Sequence, residues 1–87
     1  MKGTDLVAWN LRRLRVERSL SQDGLAFEAE IDRTYVGRLE RSIENPTVMV
    51  LDKLAAALGV HVSELLAEPL PGASPPATLK AGRRPKR

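Results

Sequence analysis

Apolar residues recur along this chain in short bursts at helical spacing. Val7, Leu11 and Leu14 stand four and three residues apart within residues 5–18, which places them on one face of a helix. Thr4 or Asp5 is positioned to cap it. Ser21 offers an N-cap to a short helix over residues 22–29, with Asp23 in the first turn, where negative charge suits the helix dipole. After a break at Glu30 and Ile31, Asp32 can cap a third helix running to about Arg41, with Val36 and Leu39 pointing inward, and Asn45-Pro46 stops it. Thr47 starts a fourth helix with Leu51, Leu54, Ala55 and Leu58 at i, i+3, i+4 and i+7, and Gly59 stands where a C-terminal glycine cap belongs. Ser63 can cap a last short helix carrying Leu65 and Leu66. The predicted class is therefore all-α, a compact five-helix domain over residues 1–68. From Pro69 onward a proline-rich stretch and a basic end bury too little apolar area to order themselves. Residues 69–87 read as a flexible tail.

A break of only a few residues between the second and third helices is the layout of a helix-turn-helix. Its two helices cross closely, so Ala26 is small where they touch, while Leu25, Ile31, Val36 and Leu39 supply the apolar contacts that fix the crossing. The other face of the third helix is left free to project.

The ordered set Leu11-Arg12-Arg13-Leu14-Arg15, Leu20-Ser21-Gln22, Leu25-Ala26, Val36-Gly37-Arg38-Leu39-Glu40-Arg41, Asn45-Pro46, Leu58-Gly59-Val60 and Leu65-Leu66 resembles the Cro/repressor-type, or xenobiotic-response-element, family of DNA-binding domains. The likeness runs over roughly residues 6–67 without gaps, and the stretch from Arg33 to Gly37, with Glu40-Arg41-Ser42 before Asn45, is particularly similar to controller proteins of restriction-modification systems. The resemblance implies a lambda-repressor-like fold that binds double-stranded DNA as a transcriptional regulator, with two copies of the chain on an inverted-repeat operator. Carried over position by position, it places Gln22 at the opening of the second helix for a backbone or outer-base contact. Arg33, Thr34 and Arg38 fall on the exposed face of the recognition helix, where arginine can pair bidentately with guanine and threonine can meet a thymine methyl or a phosphate. Tyr35 can add a phosphate or base contact, and Asn45 lies in the loop that reaches the next phosphate.

Arg15 with Glu40 corresponds to a structural ion pair between the first and third helices of relatives. Exposed apolar residues after Gly59, namely Val60, Val62 and Leu65, are expected to form the homodimer contact. Two positions depart from the family: Glu30 and Ser42 stand where glycine is usual because the backbone there favours positive φ. If φ is positive at these residues, each costs on the order of 1 kcal/mol.

Charge changes this picture less than the total implies. The net +3 divides into residues 1–68, with nine basic against eleven acidic side chains, and the tail, where Lys80, Arg83, Arg84, Lys86 and Arg87 meet no acid. Overall basicity is thus weak support for a DNA-binding domain, and the placement of particular arginines carries the case. Arg12, Arg13 and Arg18 read first as a solvated helix face. Trp9 falls opposite Leu11 on the helical wheel, either covered by the segment around Leu66 to Leu70 or facing a partner. With no cysteine, a lone His61 between two valines and no glycine-rich phosphate loop after a strand, neither a metal site nor an enzyme is expected, and no cofactor. No apolar run reaches membrane-span length, so no membrane partner is expected and a cytoplasmic location is the default. The alternative function is an antitoxin-like or other protein-binding module that keeps the helix-turn-helix as a scaffold for a protein partner.

Overall fold

The computed structural model describes residues 1–74, and the tail arginines and lysines from Lys80 onward lie outside them. Four α-helices follow one another: α1 (Gly3–Glu17), α2 (Gln22–Ala29), α3 (Arg33–Glu40) and α4 (Val48–Leu58), then a 3₁₀ helix at Val62–Leu66. Among the described residues there is no strand. The all-α class holds, with the fifth helix a single 3₁₀ segment of five residues rather than an α-helix.

Three of the α-helices begin on side-chain caps. Ser21 Oγ accepts from Gly24 N at 2.9 Å, Asp32 Oδ1 from Thr34 N at 2.7 Å and Thr47 Oγ1 from Val50 N at 3.1 Å, each satisfying a donor that the helix leaves unpaired. The first helix differs from expectation. It starts at Gly3 with Lys2 as an N-cap that makes no side-chain bond, so Thr4 and Asp5 lie inside its first turn. At the 3₁₀ helix the cap is His61, whose Nδ1 accepts from Ser63 N at 3.1 Å. Ser63, the expected cap, is itself within the segment. His61 thus has a local structural role.

Val7, Leu11 and Leu14 of α1 meet Leu25, Ala26 and Ala29 of α2, Val36 and Leu39 of α3, and Leu51, Leu54, Ala55 and Leu58 of α4 in one buried cluster. Leu65 completes it. That leucine is 0% exposed within its own subunit, so the expectation that it faces a second copy is corrected. Leu66, its neighbour, points outward instead.

Polar ties hold the helices where apolar contact alone would let them slide. Arg15 and Glu40 are both buried, and the guanidinium grips the carboxylate with two bonds, Nε to Oε2 at 2.7 Å and Nη2 to Oε1 at 2.9 Å. This fork joins α1 to α3. Arg15 Nη1 also donates to the Leu20 carbonyl at 2.9 Å, fixing the entry to α2. Asn10, 2% exposed, donates from Nδ2 to the Leu6 carbonyl and, at 2.8 Å, to the Ala67 carbonyl, which moors the chain after the 3₁₀ helix against α1. Arg18 Nε donates to the Leu58 carbonyl at 2.6 Å, placing a cation at the C-terminal end of α4 where the dipole favours it.

The breaks between helices turn through left-handed backbone. Glu30 has φ 59° and Ser42 φ 62°, and Ser19 joins them at φ 55°. Side chains are disfavoured there because Cβ crowds the carbonyl oxygen. Glu30→Gly and Ser42→Gly are each expected to raise the unfolding free energy by up to about 1 kcal/mol. Urea denaturation of the two variants measures this, and a loss of stability in both would mean that the side chains make compensating contacts.

Candidate nucleic-acid interface

The turn at Glu30 and Ile31 sets α3 across α2, with Val36 and Leu39 buried beneath and the opposite side in solvent. Arg33 and Thr34 are exposed on the first turn of α3, and together with Gln22, Asp23, Gly37, Arg12 and Arg41 they line one open cleft. Four of the predicted contact residues therefore sit on or beside a single projecting surface: Gln22, Arg33, Thr34 and, one turn on from Thr34, Arg38. Asn45 does not share that cleft. It is exposed on a separate hollow with Lys2, Thr4, Pro46 and Leu66.

Several of these side chains are held before any ligand arrives. Gln22 Nε2 donates to Glu40 Oε1 at 3.0 Å, so the buried pair beneath orients an amide at the surface. A Cβ at Gly37 would meet Gln22 Oε1 at 3.5 Å, an ordinary van der Waals contact, so the two positions adjoin without crowding. Arg12 approaches the same carboxylate oxygen at 3.4 Å. Arg33 Nη1 reaches Asp23 Oδ2 at 3.3 Å, an exposed pair worth little in water. Arg38 Nε donates to Glu44 Oε2 at 2.6 Å. Tyr35 is half-buried beside that pair. Burial, and then the Glu44 charge, push its phenol above the usual tyrosine range.

Two arginines of the cleft, Arg12 and Arg41, were not among the expected contact residues. Arg41 follows Gly37 by four residues and Arg33 by eight, a helical repeat that marks it on the same side, but it lies one residue past the end of α3. Arg12 read as part of a solvated face, and its link to Glu40 across 28 residues of chain is visible only in three dimensions. Arg13 and Arg18 are tied elsewhere, to Asn10 and to the end of α4. Trp9 is half-buried in a hollow with Met1, Asp5, Arg12 and Ser42, whereas Leu70, one of the residues expected to cover it, is 79% exposed. Among the described residues no group of histidine, cysteine or carboxylate side chains could hold a metal ion, and no helix is long and apolar enough to cross a membrane.

Residues 11–65, from the middle of α1 into the 3₁₀ helix, match the HTH_3 helix-turn-helix family. The chain belongs to the HTH_3 family. A hypothetical transcription factor of Neisseria meningitidis is 42% identical over 64 residues, covering 74% of this chain and 60% of the relative; the HTH_3 chain thus spans about three fifths of that protein's length. The restriction-modification controller protein C.AhdI of Aeromonas hydrophila superposes with a TM-score of 0.69 at 40% identity, over 71% of this chain and 94% of the controller. The controller C.Esp1396I, in a tetramer complexed with its natural 35-base-pair operator, superposes with a TM-score of 0.67 at 25% identity, over 77% of this chain and 99% of that one. These relatives are regulators and control proteins rather than enzymes.

Proposed function

We propose that this HTH_3 chain is a transcriptional regulator that reads an operator in double-stranded DNA through α3, binding as a homodimer on an inverted repeat. The observation that carries the reading is the placement of Arg33, Thr34 and Gln22 around one open cleft, with the side chain of Arg38, 43% exposed, one turn on from Thr34. Arginine edges match the guanine acceptors of the major groove, and a glutamine at a helix start suits a backbone or outer-base contact. The C.Esp1396I controller, complexed with its operator as a tetramer, supports the same use of the fold.

The dimer follows from reach. An α3 of eight residues is about 12 Å long, and such a helix presents only a few side chains to one groove. Two-fold pairing sets the recognition helices about 34 Å apart and calls for half-site centres about 10 base pairs apart. With Leu65 inside its own subunit, the contact would use the half-buried Val60 and Val62 together with exposed Leu66.

Arg33→Ala and Arg38→Ala are each expected to weaken specific binding by about 1 to 3 kcal/mol and to relax preference at a particular base pair. Gln22→Ala should weaken binding with less change in preference. Selection of binding sites by each variant checks this. Unchanged base preference in both arginine variants would remove α3 as the reading element.

A further inference from the structure

Glu44 lies six residues beyond Arg38, in the loop after α3, and its carboxylate meets only one edge of the guanidinium: Oε2 accepts from Nε at 2.6 Å. Among the described residues, Nη1 and Nη2 of Arg38 make no hydrogen bond. The loop is anchored at its start, since Ser42 N donates to the Leu39 carbonyl and Ile43 N to the Arg38 carbonyl, each at 3.1 Å. Glu44 is also partly sheltered, with its side chain 26% exposed against 43% for Arg38. The contrast with the other recognition-helix arginine is plain. Arg33 pairs with Asp23 at 3.3 Å, with both side chains about two-thirds exposed or more, so water competes for that contact and it holds the guanidinium only weakly.

A guanidinium held by Nε keeps its outer Nη1–Nη2 fork free, and that fork matches O6 and N7 of guanine. An unheld arginine must lose its rotamer freedom on binding, whereas a held one has lost it already. A carboxylate beside the guanidinium also repels phosphate, which disfavours swinging the side chain to the backbone. We propose that Glu44 is a specificity-determining positioning residue, holding Arg38 through Nε so that its outer edge reads one base pair rather than gripping any phosphate within reach. The inference rests on the DNA-binding reading above.

The test compares wild type, Glu44→Ala and Glu44→Gln on three duplexes: the selected site, the same site changed at the base pair whose preference Arg38→Ala abolishes, and an unrelated sequence. For Glu44→Ala, discrimination at that base pair is expected to fall by about tenfold. Its affinity for the unrelated duplex should hold or rise, because a negative charge leaves the phosphate-facing surface. Glu44→Gln keeps an acceptor at the same reach and should retain more of the discrimination. A simple loss of folding would lower binding to all three duplexes together and would overturn the proposal, as would equal gains on all three, the mark of a carboxylate that only screens charge. Failure of the underlying reading looks different: the wild type itself would then prefer none of the three.

Discussion

Glu40→Ala is expected to lower the unfolding free energy by about 3 to 5 kcal/mol, because it strands the Arg15 guanidinium, 3% exposed, without its partner. Against the 5 to 15 kcal/mol typical of whole domains, that is a large share. The loss extends past the pair. Glu40 also accepts from Gln22 Nε2 and faces Arg12, so the same substitution frees a side chain of the proposed DNA surface. Replacing both partners by apolar residues, as in Arg15→Met with Glu40→Leu, should recover much of the stability, since removing two buried charges costs less than orphaning one. Urea denaturation of the singles and the double measures the coupling. Additive effects of the two single substitutions would contradict the role given to the fork.

The second large effect belongs to Leu65. Leu65→Ala is expected to cost about 2 to 5 kcal/mol of stability, the transfer free energy of the lost carbons plus the cavity left among α1, α4 and the 3₁₀ helix. This differs from what an interface residue would show. A leucine at a two-fold contact would, when shortened, leave each folded subunit intact and weaken association alone. Thermal unfolding at several protein concentrations separates the cases, and a lower melting temperature is expected at every concentration. A variant that melts like wild type yet no longer self-associates would put Leu65 back at an interface.

How far the sequence disclosed these features depends on the range of the interaction concerned. The stripe of Leu51, Leu54, Ala55 and Leu58 was legible because helical period alone orients it, and the caps at Ser21 and Asp32 because they bind donors within three residues. The orientation of Leu65 was not, since two adjacent leucines in a single 3₁₀ segment have no period to say which one turns inward. Asn10 sits among Val7, Leu11 and Leu14 as a polar residue in an apolar stripe, a signal that it is bonded. Its partner, the Ala67 carbonyl, lies 57 residues away and follows no spacing rule. The Arg38–Glu44 contact spans a helix end, where the i, i+4 rule no longer applies. Glu30 and Ser42 were marked by the family resemblance, which supplied the expectation of glycine and hence of positive φ, whereas Ser19 had no such marker.

The most direct test of the proposed function is selection of binding sites by the wild-type chain from randomised duplex DNA, with the mass of the resulting complex determined by sedimentation. An enriched inverted repeat with half-site centres about 10 base pairs apart, each repeat occupied by two chains, is expected. A pool without an enriched sequence, or one chain on a single unrepeated half-site, would contradict it.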